Sequence, residues 1–232
     1  MAQNPEAAKR VLGVYGAGQV EPGMVLGIGS GTTVDAFIDA LGERLRNAPF
    51  ALVCVAASKA SVARARAAGL PIQAPESIGV LDLAVDGADR VNPERVMIKG
   101  GGAALVRERL VMSQARRALI LVDSTKLAPR LQQVTVPLAI LPFAWPATLA
   151  RIQEVTPEAY LRQVDGQPVM TDDGLYLVDA HVDDLPNPED WHATVKMLPG
   201  VVDTGIFAGF PADVVVSDGE AVWPLEPRQA QL

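Results

Sequence analysis

The chain of 232 residues carries a formal net charge of −7, with 49% hydrophobic and 20% charged residues. That length holds one large domain or a main domain with a smaller one, and the apolar share excludes a chain that is disordered by default. The acidic balance repels polyanions, which argues against a nucleic-acid partner and leaves any phosphorylated ligand to a few local cations.

Met1 to Arg10 is polar and charged and has no apolar core of the kind a secretory signal needs, and no run of about 18 apolar residues occurs anywhere. A soluble cytoplasmic protein with no membrane partner is expected. From there to about residue 130, short apolar runs alternate with helical patterns, as in repeated β-α units on a mostly parallel sheet. The expected strands are Met24 to Ile28, Ala51 to Ala56, Leu81 to Val85 and Ala118 to Val122. Between the first two, Val34, Phe37, Ile38, Leu41 and Leu45 mark one apolar helical face. Lys59 to Ala68 reads as an Ala-rich helix stopped by Gly69. Cys54, the single cysteine, falls inside the second run and is read as a buried thiol, with no disulfide or cysteine-based zinc cluster possible within the chain.

From about Leu131 the texture changes, with Pro137, Pro142, Pro146 and Pro157 punctuating the chain. A smaller α+β unit is expected there. It would hold a strand at Val134 to Ile140, a helix from about Ala147, strands across the Asp172-Asp173-Gly174 turn, and a helix from about Pro188 to Met197 that Pro199-Gly200 ends. Val201 to Phe207 returns to a hairpin in which Val214 to Val216 and Ala221 to Trp223 flank Ser217 to Glu220.

The polar clusters of the first half fall just after apolar runs, the edge at which open parallel sheets bind ligands. Gly27 to Thr33 follows the first strand, Asp86-Gly87-Ala88-Asp89 the third, Asp123-Ser124-Thr125-Lys126 the last, and Lys99-Gly100-Gly101-Gly102 the short run Val96 to Ile98. The first of these fits a phosphate cradle at a helix N-terminus, and equally a tight turn capped by Ser or Thr. It is neither a dinucleotide fingerprint nor a P-loop, because Thr32 stands where the former needs Gly and no Lys precedes the hydroxyls. Asp86 and Asp89 are compatible with a simple turn, and Lys126 with a solvated surface. Lys99 before three glycines is harder to read as structural, since those glycines make sense where backbone must approach a ligand.

Glu108 is the most informative residue. In a helix from Ala103 to Arg116 it lies on the stripe of Ala104, Leu105, Val111, Met112 and Ala115, so a carboxylate interrupts an apolar face. A surface glutamate belongs among the polar positions; one facing the core needs a partner and gains a raised pKa suited to a base. His181 and His192 lie outside every cluster, and His181 with Asp179, Asp183 and Asp184 reads as a solvated strand end rather than a metal site.

Gly27-Ile-Gly-Ser-Gly-Thr-Thr33, Asp86-Gly-Ala-Asp89, Lys99-Gly-Gly-Gly-Ala-Ala-Leu-Val-Arg-Glu108, Asp123-Ser-Thr-Lys126 and Pro199-Gly-Val-Val-Asp-Thr-Gly-Ile-Phe207 stand in fixed order and spacing. Together they resemble the type A ribose-5-phosphate isomerases, over a likeness running from about Lys9 to the C-terminus. The resemblance implies a Rossmann-like α/β domain, residues 1–130 and 208–232, with an inserted ferredoxin-like α+β subdomain, residues 131–207. It implies a homodimer or homotetramer that interconverts ribose 5-phosphate and ribulose 5-phosphate without metal or cofactor. Glu108 takes the place of the proton acceptor, and Asp86, Asp89 and Lys99 fall on the catalytic polar cluster. Ser30, Gly31, Thr32, Thr33, Gly87, Ala88, Gly100, Gly101, Gly102 and Lys126 fall on substrate-binding positions, as Lys9 does less closely. Arg90, Ser30 and Asp173 depart from the residues common there.

Such chemistry needs a base to carry a proton between neighbouring carbons through an enediolate, with donors for the developing oxyanion. Glu108 and Lys99 would supply these, and Asp86 and Asp89 jointly would assist ring opening and proton shuttling. A sugar-phosphate-sensing module is the rival from another class, but it needs an output domain and has no use for Glu108; no basic helix-turn-helix segment precedes Gly13. A deaminase, lactonase or acyl-CoA transferase on a similar scaffold fits the histidine-poor first half and the Lys99 to Glu108 segment poorly.

Overall fold

In the computed structural model, which describes residues 4–77 and 79–226, the chain opens with a helix that the polar character of its first residues does not announce. Helix α1 (Pro5–Gly18) starts at Asn4, whose side chain accepts from the Ala7 N–H, and buries Ala8, Leu12 and Gly16 at intervals of four. Gly13 lets it press onto the next helix, since a Cβ there would lie 2.6 Å from the Ala36 carbonyl carbon.

Strand β1 (Val25–Ile28) leads into α2 (Thr32–Asn47), which buries Val34, Phe37, Ile38 and Leu41 as its spacing requires. Strand β2 (Val53–Ala56) leads into α3 (Lys59–Ala67), capped by the Ser58 side chain. Burial pushes the Cys54 thiol in β2 up to about 12. Strand β3 (Leu83–Asp86) is followed by the short β4 (Arg90–Val91) and β5 (Met97–Ile98), then α4 (Leu105–Ser113) and β6 (Ala118–Asp123). Helix α4 is shorter than the stripe suggests. Ala103 sits at φ 63, continuing the glycine turn, so regular helix cannot begin before Leu105.

The remaining elements are β7 (Gln132–Ile140), α5 (Trp145–Val155), β8 (Ala159–Leu161), β9 (Gln163–Val164), β10 (Gln167–Pro168), β11 (Tyr176–Asp184), α6 (Pro188–Lys196), β12 (Val201–Thr204), β13 (Ile206–Phe207), β14 (Ala212–Ser217) and β15 (Val222–Pro224). Strands flank the Asp172 to Gly174 turn as expected, β10 before it and the long β11 after it, with an antiparallel bridge from Met170 to Tyr176 across the turn; β10 itself pairs back with β9.

The central sheet has the order β15-β14-β6-β3-β1-β2, parallel except for the edge hairpin strand β15. A second, antiparallel sheet of order β12-β7-β11-β8 is built wholly from residues 132–204 and packs with Ile152 of α5 and Val195 of α6 in a core that also takes in Val96 and Ile98 from the first half of the chain. Between the two lies a small sheet, β13-β5-β4. Its β5 is parted from β6 in sequence by α4 alone, so the turn between β5 and α4 is pinned at the carboxyl edge of the main sheet. Among the described residues no helix is long and apolar enough to cross a membrane.

Candidate active site

In the central sheet β1 and β3 are neighbours, and the connection leaving β1 runs outward to β2 whereas the one leaving β3 runs the other way to β6, so a crevice opens beyond their carboxyl ends. The loops after β1, β3, β5 and β6 meet there around a cavity of about 290 Å³. Its wall includes Lys9, Ser30, Gly31, Thr32, Thr33, Gly87, Ala88, Asp89, Lys99, Gly100, Gly101, Gly102, Glu108 and Lys126, thirteen residues expected from the four loops and α4 plus Lys9 from α1.

Asp86 is the one predicted site residue that does not line the cavity. It is buried behind Lys99, at 2% exposure, and organises the wall from within. Its Oδ1 accepts from the Ser30 N–H at 3.2 Å and the Gly87 N–H at 2.8 Å. A Cβ on Gly29 would collide with this carboxylate, so glycine at that position is a steric requirement of the approach. The joint role expected for Asp86 and Asp89 therefore divides in space: Asp89 faces the cavity and Asp86 faces Lys99.

Lys99 and Glu108 are both almost fully buried, yet both border the cavity. The Lys99 Nζ donates to the Gly87 carbonyl at 2.5 Å and stands 2.9 Å from Asp86 Oδ2 and 3.4 Å from Glu108 Oε2. Burial works to lower the Lys99 pKa, but Asp86, Glu108 and Asp89 outweigh it and raise the value, so the side chain stays an ammonium. Ser30 Oγ donates to Glu108 Oε1 at 2.6 Å, while Oε2 has no well-aligned hydrogen-bond partner among the described residues and forms an ion pair with Lys99 at 3.4 Å. Burial, and then the neighbouring Asp86, raise the Glu108 pKa to about 7 against the opposing pull of Lys99 and Ser30. A carboxylate poised near neutrality with one oxygen outside any well-aligned hydrogen bond can both take and return a proton.

Part of the cavity wall suits an anion. Gly31 at φ 94 is the N-cap of α2, no side chain among the described residues caps that N-terminus, and Thr32 and Thr33 supply hydroxyls beside it. Lys126 comes from a short turn that Asp123 braces by accepting from the Thr125 N–H at 3.1 Å. Lys9 reaches in from α1 and pairs with Glu6 at 2.6 Å. Thr125, Asp123 and Pro5 also line the wall. The first two lie inside the Asp123 to Lys126 cluster, while Pro5 carries no signal in the sequence because its polar neighbours do not announce α1.

His181 and Asp179 stay apart from this site: His181 Nδ1 lies 2.8 Å from Thr135 Oγ1, and Asp179 pairs with Arg162. Two features had no counterpart in the sequence reading. Arg109 joins α4 to β12 of the second sheet through Asp203 and the Thr204 carbonyl, and to β13 of the small sheet through the Ile206 carbonyl, both carbonyls at 2.8 Å. On the neighbouring turn, Arg107 grips Asp173, Nη2 to Oδ1 at 2.6 Å, so the segment carrying Glu108 is clamped from both sides.

The family model for ribose 5-phosphate isomerase A (phosphoriboisomerase A) matches residues 53–221. Ribose-5-phosphate isomerase A of Bacillus mycoides is 36% identical over 90% of this chain and 94% of its own length. The enzyme of the same name from Methanoregula boonei is 38% identical over 92% and 90%. Among solved structures, ribose 5-phosphate isomerase A of Methanocaldococcus jannaschii superposes with a TM-score of 0.89 at 28% identity, covering 95% of this chain and 99% of that one. A D-ribose-5-phosphate isomerase in complex with phospho-erythronic acid gives the same TM-score at 33% identity, over 95% and 98%.

Proposed function

The chain belongs to the ribose 5-phosphate isomerase A family, and from that premise we propose that Glu108 is the base that carries a proton between C2 and C1 of a sugar phosphate in this cavity. The protein is an isomerase that interconverts D-ribose 5-phosphate and D-ribulose 5-phosphate. A similar isomerase is known with phospho-erythronic acid, a phosphorylated aldonic acid, and the wall of the cavity here offers matching chemistry, the donors at the α2 N-terminus together with the ammonium of Lys99.

The observation that carries the assignment is the pairing of Glu108, buried with a pKa near 7 and with Oε2 outside any well-aligned hydrogen bond among the described residues, with the buried ammonium of Lys99 3.4 Å away. Starting from the open aldose, Glu108 Oε2 takes the C2 proton. The C–H electrons form the C1=C2 bond and the carbonyl pair moves onto O1, where Lys99 stabilises the oxyanion. Glu108 then returns its proton to C1, while the hydroxyl proton of O2 passes to O1 and leaves the ketose. Asp89, on the cavity wall, is the group placed for that second transfer and for opening the sugar ring. Asp86 sets the charge and position of Lys99 from behind. The α2 N-terminus and Lys126 hold the phosphate and fix which carbons reach Glu108.

The same reading makes residues 131–207 an inserted subdomain beside a catalytic unit of 1–130 and 208–232, supported by a second sheet built from residues 132–204 alone. It also takes the protein to work in the cytoplasm as a homodimer or homotetramer, which sedimentation of the purified protein checks. The function is tested by incubating the protein with ribose 5-phosphate in heavy water. The expected outcome is ribulose 5-phosphate carrying solvent deuterium at C1; turnover with no incorporation at any stage would favour a hydride shift.

A further inference from the structure

Arg162 lies just past β8, outside every segment the sequence motifs assign to the site. Its guanidinium serves two partners at once. Nε and Nη2 fork onto the Asp179 carboxylate of β11, with Nε 2.8 Å from Oδ2. Nη1 donates to the carbonyls of Gly100 at 3.0 Å and Gly101 at 3.2 Å. A side chain of the second sheet thus grips two consecutive peptides of the turn that walls the cavity.

That grip fixes more than carbonyls. In a trans peptide the C=O and N–H point to opposite sides, so turning these two carbonyls toward Arg162 turns the N–H groups of Gly101 and Gly102 the other way. The Gly101 N–H donates to Asp89 Oδ2 at 2.8 Å, and Gly102 borders the cavity beside Ser30. Three glycines in a row hold no shape by themselves, and Gly100 stands at φ 107. An outside anchor is what keeps their donors aimed.

We propose that Arg162, oriented by Asp179, is a positioning residue of the isomerisation: it fixes the Gly100–Gly102 turn and, through the Gly101 N–H, the carboxylate of Asp89. The proposal rests on the isomerase reading above. A bidentate guanidinium–carboxylate pair holds its plane well enough for this task, and a lysine ammonium does not.

The test uses a feature of the far side of the turn, where Arg162 and Asp179 border a second cavity of about 310 Å³ together with Asp89 and Gly101. In Arg162→Ala that space admits free guanidinium. Because small misplacements near reacting groups can be worth about 100-fold, kcat is expected to fall about 10- to 100-fold with the melting temperature near that of the wild type. Low-millimolar guanidinium chloride should then restore kcat saturably, while leaving the wild type unaffected. Arg162→Lys should fall between the two and carries the decision if the alanine variant does not fold. Wild-type kcat in either folded variant, or a loss that guanidinium leaves untouched, would overturn the role. The wild type assayed alongside separates the two readings: an inactive wild type removes the isomerase assignment, whereas an active one with an undiminished variant removes only Arg162.

Discussion

Replacing Glu108 with Gln should stabilise the protein, but only above the pH at which the carboxylate ionises. The folded state holds the Glu108 proton up to about pH 7, against an ordinary value of 4.5. Between these values the folded chain binds one more proton than the unfolded chain, so stability must fall as pH rises through that window. The full loss corresponds to about 3 kcal/mol at 1.36 kcal/mol per pK unit. Its physical origin is visible in the site: once Glu108 ionises, two buried carboxylates, Asp86 and Glu108, face one buried ammonium, Lys99. Glutamine keeps the volume and can still accept from Ser30 Oγ, and it leaves Asp86 and Lys99 as a balanced pair. Urea unfolding of both proteins at pH 5 and pH 8 is the assay. The stability difference between them should shift toward the glutamine variant by about 2–3 kcal/mol on going to pH 8, and taking this difference cancels whatever the amide does by itself. A difference independent of pH would refute the raised pKa and the charge imbalance behind it.

Lys126→Ala should raise KM for ribose 5-phosphate far more than it lowers kcat, because it removes binding energy for the phosphate and leaves the reacting end intact; an unchanged KM would take Lys126 out of the site. Wild-type kcat/KM should fall below about pH 7 as Glu108 becomes protonated, and Asp86→Asn, which removes a neighbouring negative charge that raises that pKa, should move this acid limb to lower pH. A pH–rate profile of the two proteins checks both statements, and coincident acid limbs would contradict them.

Much of this site could be read from the chain because its residues sit at loops following buried strands, and strand burial is written in runs such as Leu83 to Val85. The periodic stripe around Glu108 told of burial, and the structure supplies what periodicity cannot: Ser30, from a loop 78 residues earlier in the chain, bonds one of its oxygens. The division between Asp86 and Asp89 was not legible either. Two aspartates three apart in a turn point to different sides only once β3 and the Gly29 backbone fix which is inward. Helix α1 carries little hydrophobic signal because Leu12 is the one large residue of a buried face otherwise made of Ala8, Gly13, Gly16 and Ala17, of which Gly13 acts by permitting close approach. The arginine clamps Arg107, Arg109 and Arg162 depend on partners from 17 to 97 residues away, and nothing local marks them.

The claim on which the account turns is that Glu108 moves the proton, and the kcat of a folded Glu108→Gln protein tests it most directly. A positioned general base contributes about 10²–10⁴-fold, so kcat for ribose 5-phosphate should drop by at least that order while KM stays close to the wild-type value. Isomerisation by the glutamine variant at a rate near that of the wild type would mean that another residue is the base.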